Sequence, residues 1–275
     1  MSRPEVLRVQ VRGLQLRAGG SDRGRVLCSE LSFDVQAGER WVVLGPNGAG
    51  KSTLIATLAG LLAPAAGQVL VQGRELSSWP VAQLARWRAW CPQFWIDPFP
   101  SRVDDTVLAS RQQRSRWWTW AGDADAAPQP EAEQVLRQLD LMHLREADVR
   151  MLSGGERQRV AVAACLLQGA PWLLLDEPAS HLDLAHQQLL VGVLRERAAQ
   201  GSAVLASLHD IDLAARLATH VVLLDGRGGA AVGPRDAVMT PAHLSAVFGV
   251  AIDRVEVCGE QRFWVGPVRH KEAAR

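Results

Sequence analysis

The chain has 275 residues, 30 basic against 29 acidic, for a formal net charge of +1. That length suits one α/β domain with a smaller subdomain, and the charge balance excludes a general pull toward nucleic acid. Cys28, Cys91, Cys165 and Cys258 form no CxxC pair, so neither a zinc knuckle nor a disulfide framework is expected.

No apolar run approaches the ~20 residues needed to span a bilayer. The richest, 160–175, is interrupted by Gln168, Gly169 and Pro171, and Met1-Ser2-Arg3-Pro4-Glu5 lacks the apolar core of a signal peptide. A soluble chain is expected, so any transport role requires membrane partners.

Leu7, Val9 and Val11 alternate with Arg8, Gln10 and Arg12, and Leu31, Phe33 and Val35 alternate with Ser32, Asp34 and Gln36. Both segments predict half-buried strands of an antiparallel sheet, separated by a loop at 19–24. The continuous run Trp41-Val42-Val43-Leu44 predicts a parallel strand buried on both faces. It enters Gly45-Pro46-Asn47-Gly48-Ala49-Gly50-Lys51-Ser52-Thr53, a P-loop, followed by a helix over 52–61. Glycines there let backbone amides close around phosphates, Lys51 adds positive charge, and Ser52 suits Mg²⁺. Lys51 stands out, since Lys51 and Lys271 are the only lysines among the basic residues.

Six of the ten tryptophans, Trp87, Trp90, Trp95, Trp117, Trp118 and Trp120, fall in the middle of the chain. Two readings stand: packing inside a helical insertion, or a docking surface for a membrane partner. Gln93 follows Cys91-Pro92, and a neutral amide there can bridge a metal and an attacking water. Ala121 to Glu133 lacks periodicity and predicts an exposed loop. Leu136, Leu139, Leu141 and Leu144 then predict a short helix and its exit.

Leu152-Ser153-Gly154-Gly155-Glu156 contains a capping box, Ser153 with Glu156, so it predicts a helix whose free N–H groups can hold a phosphate. Two anion-binding elements about a hundred residues apart exceed what one nucleotide needs from one small domain. That surplus predicts a dimer trapping nucleotide between subunits.

Trp172 to Leu175 predicts a second buried strand, ending at Asp176 and Glu177. Asp176 can hold Mg²⁺ through water, and Glu177 can orient or deprotonate the attacking water. The bland alternative is a solvated acidic pair before Pro178. Ala203 to Leu208 predicts a third strand, after which His209 can reach a γ-phosphate. Val221 to Leu224 with Asp225-Gly226 predicts a strand entering a hairpin. Thr240-Pro241 and Gly249 mark the start and stop of a helix, and 250–257 with 263–265 predict a terminal hairpin.

Taken in order, the P-loop, Gln93, Leu152 to Glu156, Leu173 to Glu177, Ser180-His181-Leu182-Asp183 and His209 resemble the nucleotide-binding subunit of an ATP-binding-cassette transporter. The resemblance covers roughly 6–249. It implies one α/β ATPase domain over 1–275: a P-loop NTPase core with an N-terminal antiparallel β-subdomain (about 1–85 and 153–249), a helical subdomain inserted at about 86–152, and a hairpin or tail at 250–275.

It also implies ATP and Mg²⁺ as cofactors. Glu177, His209 and Gln93 are then catalytic, Ser52, Gln93 and Asp176 hold the metal, and residues 45–53 bind ATP. In a head-to-tail homodimer, Leu152 to Glu156 would face the partner's ATP and Asp183 would lie at the seam. The implied partners are integral membrane permease subunits and, indirectly, a periplasmic binding protein, with no nucleic acid. The implied location is the cytoplasmic face of the inner membrane, as a peripheral subunit.

The family often stacks adenine on an aromatic residue near 16–20, where this chain has Ala18. Arg17 or Arg25 stacking through the guanidinium plane, or weak base contacts, are the two readings. Trp90 to Gln93, Ser180 to Gln187 and Thr240 to Val250 resemble importers of vitamin B12, ferric siderophores and haem. Cobalamin is expected slightly ahead of ferric siderophores, with haem third. A cassette ATPase working without a membrane, or one binding ATP without hydrolysing it, are the competing classes.

Overall fold

A computed structural model describes residues 6–20, 24–94, 99–111 and 130–267. In chain order the elements are β1 (Arg8–Arg17), β2 (Val26–Cys28), β3 (Phe33–Gln36), β4 (Arg40–Leu44), α1 (Lys51–Leu58), β5 (Ala66–Val71), β6 (Arg74–Glu75), α2 (Val81–Leu84), β7 (Arg88–Cys91), α3 (Val103–Ala109) and α4 (Pro130–Gln138). There follow α5 (Gly154–Leu167), β8 (Trp172–Leu175), α6 (Leu184–Ala199), β9 (Ala203–Ser207), α7 (Ile211–Leu217), β10 (His220–Leu224), β11 (Ala230–Pro234), α8 (Arg235–Val238), α9 (Pro241–Phe248), β12 (Ile252–Val257) and β13 (Glu260–Val265).

The main sheet has the order β11-β10-β4-β9-β8-β7. Its strands β10, β4, β9, β8 and β7 are mutually parallel, and β11 closes one edge antiparallel. Both faces are covered, which explains the continuous apolar runs. Val42, Leu44, Leu173, Leu175, Val204, Ala206, Val221 and Leu223 enter one core with α5, α6 and α7. Their neighbours Trp41, Val43, Trp172, Leu174, Leu205 and Val222 enter the other, shared with α1 and the N-terminal sheet. A one-residue slip would exchange the two sets, so register is tightly specified.

The N-terminal sheet is built around β1, which pairs antiparallel with β3 through its first half, with β2 through its end, and with β5 along its other edge. α3 and α4 pack on the same core as α5, which is buried from Gln158 to Leu167. At the far end Phe263 N–H donates to Asp212 Oδ1 at 2.9 Å, joining the hairpin to α7.

Two sequence expectations shift. Arg88–Cys91, expected inside the helical insertion, is strand β7, with Ala89 and Cys91 in one core and Trp90 against the other. Parallel pairing with β8 defines it, which four residues of local pattern do not reveal. Pro130 to Glu133, expected in a loop, form the first turn of α4. Pro130 suits the first helical position, and Glu131 and Glu133 sit at the positive end of the helix dipole. Trp87 and Trp90 are half-buried against the core beneath the N-terminal sheet, Trp87 meeting Trp79 edge-on at 6.3 Å. Trp95, Trp117, Trp118 and Trp120 lie outside the described residues. Among the described residues no helix is long and apolar enough to cross a membrane.

Candidate active site

The site lies at the carboxyl ends of β4, β8 and β9, where an open parallel sheet presents its loops. Its cleft, about 730 Å³, is lined by Ala18, Gly19, Arg25, Leu27, Asn47, Gly48, Gly50, Lys51, Ser52, Thr53, Gln93, Glu177 and His209.

β4 passes directly into the P-loop. Gly50 at the cap of α1 has φ 106°, and a Cβ there would lie 3.0 Å from the Leu27 side chain. Left-handed backbone and lack of space both select glycine. Lys51 is 5% exposed, and its Nζ donates to the carbonyls of Gly45 and Pro46 at 3.0 and 3.3 Å. Burial lowers its pKa, and the charges of Glu177 and Asp176 pull it back upward.

In the same cleft, Glu177 is held at both carboxylate oxygens. Gln93 Nε2 donates to Oε2 at 2.8 Å, and His209 Nε2 lies 2.5 Å from Oε1. Glu177 has φ 50°, a left-handed conformation uncommon for a residue with a Cβ. Ser207, the last residue of β9, fixes this turn. Its Oγ accepts from Glu177 N–H at 2.8 Å and donates to Asp176 Oδ1 at 2.7 Å. Ser207 is fully buried and was not singled out by sequence reasoning. As one polar residue ending Ala-Val-Leu-Ala-Ser it carries no motif, and only the β8–β9 pairing reveals it. Asp176 is 6% exposed and hydrogen-bonded to Cys91 O through its N–H at 2.9 Å.

Ser52, Gln93 and Glu177 supply oxygen atoms to the cleft wall, with the Asp176 carboxylate buried beside them. Among the described residues no group of three or more His, Cys, Asp or Glu forms a self-sufficient metal cage. A sparse set of hard oxygen donors beside a phosphate loop fits Mg²⁺, which takes few protein ligands plus substrate phosphates.

At the cleft rim Arg25 donates to the Gly48 carbonyl at 2.7 Å. Arg17 instead donates to Gly24 O at 3.2 Å and is not on the cleft wall. Of the two arginines considered for the base, the structure places Arg25 at the P-loop cleft.

The second anion element is built as its sequence suggests but stands elsewhere. Ser153 caps α5: Glu156 N–H donates to Ser153 Oγ at 3.3 Å, and Ser153 N–H donates to Glu156 Oε2 at 2.7 Å. None of Leu152, Ser153, Gly154, Gly155 or Glu156 lines the P-loop cleft of the same chain. Gly155 is packed so closely that a Cβ would lie 2.7 Å from the His181 carbonyl oxygen. Asp183 caps α6, accepting from His186 N–H at 2.8 Å.

Comparison with known proteins identifies the family. The ABC transporter family matches residues 28–180. The chain is 40% identical over 265 residues to the hemin import ATP-binding protein HmuV of Nocardia farcinica, covering 95% of this chain and 90% of that protein. It is 39% identical over 255 residues to HmuV of Pseudomonas entomophila, covering 89% and 93%. Among solved structures, a metal-chelate type ABC transporter in an inward-facing conformation aligns with a TM-score of 0.79 at 28% identity, covering 96% of this chain and 98% of that one. An ATP-binding subunit of an ABC transporter aligns at 0.70 and 25% identity, covering 88% and 94%. The chain therefore belongs to the ABC transporter family, as an ATPase that couples ATP hydrolysis to transport.

Proposed function

We propose that the chain is the ATP-hydrolysing subunit of a bacterial importer for an iron chelate, haem foremost. In this reading it works as a homodimer beneath two membrane permease subunits, at the cytoplasmic face of the inner membrane, with a periplasmic binding protein delivering the cargo. The single observation that carries the enzymatic part is the Glu177 carboxylate, clamped between Gln93 and His209 in the cleft that Lys51 also lines.

The comparisons do not support the cargo order expected from sequence, cobalamin first and haem last, and this reading puts haem first. The curated relatives are named for hemin import and the structural neighbour for metal chelates. The segments behind the earlier order, such as Ser180 to Gln187, belong to the ATPase, which never touches cargo. They identify a subgroup and carry no chemistry of the transported molecule.

In the mechanism, Gly45 to Thr53 and Lys51 hold the phosphates, and Glu177 accepts a proton from the attacking water. His209 and Gln93 fix the two carboxylate oxygens, while Ser207 holds the Glu177 backbone. Ser52 and Gln93 would hold Mg²⁺ directly and Asp176 through water, and that ion supplies neutralisation of phosphate charge. Ser153 to Gly155, standing outside the chain's own cleft, complete the site of a second copy. Asp183, at the cap of α6, lies at the seam between copies in this reading.

One experiment separates the cargoes. The chain is reconstituted with its permease in lipid discs, and ATP turnover is measured with binding protein loaded with haem, a ferric siderophore or cobalamin. Stimulation by the haem-loaded protein is expected. Stimulation by cobalamin alone would overturn the cargo reading while leaving the ATPase intact.

A further inference from the structure

We propose that a second cleft, between α6, α7, α8 and the terminal hairpin, is a ligand site for a small organic polyanion carrying carboxylate or phosphate groups on a partly apolar body. It shares no lining residue with the ATP cleft and is independent of the cargo reading.

The cleft encloses about 560 Å³, within the usual size of a small-molecule site. Its walls carry four guanidinium groups, Arg195, Arg216, Arg235 and Arg254, against two carboxylates, Asp236 and Glu260. Both carboxylates are engaged. Arg235 holds Asp236 at 2.8 Å, and Glu260 is held by Arg262 at 2.9 Å with Arg216 at 3.5 Å.

Among the described residues that leaves one cation without a counter-charge and a second that only shares one. Arg195 has no hydrogen-bond or carboxylate partner among the described residues. Arg254 donates to the Met239 carbonyl at 3.0 Å and lies over the Phe263 ring at 5.7 Å, and the carboxylate its charge acts on, Asp236, is already held by Arg235. Arg40 registers the excess: burial lowers its pKa first, and the like charges of Arg195 and Arg235 lower it further. Converging guanidinium groups repel one another, and a bidentate carboxylate or phosphate relieves that repulsion. Val191, Met239 and Phe263 give the same cleft an apolar patch, so a ligand with a hydrocarbon body fits better than a bare ion.

A bound polyanion would bridge α6, through Arg195, to the hairpin, through Arg254. The hairpin is already fastened to the first turn of α7 by the Phe263–Asp212 bond. Occupancy would therefore tighten the hairpin against the helices that follow Asp183 and His209.

The test is calorimetric titration of citrate and, separately, pyrophosphate into the full chain carrying Lys51→Ala, which weakens phosphate binding at the P-loop. Saturable binding to one site per chain is expected, weakened at least about tenfold by Arg195→Glu and by Arg254→Gln. Citrate alone binding assigns a carboxylate ligand, pyrophosphate alone a phosphate ligand, and both the shared chemistry. Arg195 is exposed and partnerless, so Arg195→Glu is expected to retain the fold, checked by normal ATP binding when Lys51 is present. Heats matching an ionic-strength control for both probes, or affinity unchanged in both arginine variants, would overturn the proposal.

Discussion

His209 Nε2 approaches Glu177 Oε1 to 2.5 Å, so an imidazole contacts the carboxylate expected to activate water. Replacing Glu177 with Gln keeps the shape and removes the base. Turnover should fall by about 10² to 10⁴, the usual range for a general base, with ATP affinity retained. Phosphate release and nucleotide binding, measured on the same preparation, check both halves. The Glu177→Gln chain should also elute as a dimer with ATP. Monomers at every concentration would argue against a shared site.

Ser207 joins Asp176 to the Glu177 backbone, so Ser207→Ala leaves a part-buried N–H and a buried carboxylate oxygen each short of a partner. Unpaired buried polar groups cost about 1–3 kcal/mol each, so lower thermal stability is expected together with lower kcat. Unchanged kcat in a destabilised variant would confine Ser207 to folding.

Two helical glycines should respond to alanine with opposite signs. Gly192 in α6 has nothing within 4 Å of an added Cβ, so Gly192→Ala should stabilise by up to about 1 kcal/mol through helix propensity alone. At Gly155 the same gain is opposed by the His181 carbonyl 2.7 Å away, and overpacking of that kind costs about 1–3 kcal/mol. Net destabilisation is expected there. Denaturant midpoints of the two variants settle the comparison.

Hydrogen bonds from the Ser153 side chain and backbone hold the Glu156 carboxyl below its ordinary value of 4.5. A lowered folded-state pKa contributes stability above the unfolded value, and that contribution is lost as pH falls through the folded one. Glu156→Gln should therefore lose less stability than the parent on acidification below 4.5. Because the pair is solvent-exposed, the difference should be small. Equal acid sensitivity of urea midpoints would remove the capping carboxylate as its source.

The thiols should divide by burial. Cys28, Cys91 and Cys165 are buried, and Cys258 is exposed beyond β12. Burial pushes Cys91 well above the usual thiol range and Cys165 up to about 12. Since the thiolate is the reactive form, one thiol per chain should react with an aromatic disulfide near neutral pH, and the rest only on unfolding.

The parts legible in the sequence were those whose chemistry is local. The capping box at Ser153 and Glu156 and the cap at Thr240 with Pro241 each follow from contacts within a few residues, and the P-loop glycines show as a spacing even though Leu27 and Leu224 crowd two of them from afar. What escaped depends on pairing across the chain. β5, the long edge partner of β1, lay unread in Ala66–Val71, where half the residues are exposed. β7 exists because Trp172 to Leu175 offers it a ladder, and Ser207 matters because β9 lies beside β8. The position of Leu152 to Glu156 outside the chain's own cleft is likewise a tertiary fact.

β9 stands between β4, which leads into the P-loop, and β8, which leads to Asp176 and Glu177. The reach from one to the other is thus two strand widths, roughly 10 Å. Peptide geometry sets that span, and no side chain does. Residues above and below the sheet are free to drift through evolution without retuning it, provided the ladder holds its register.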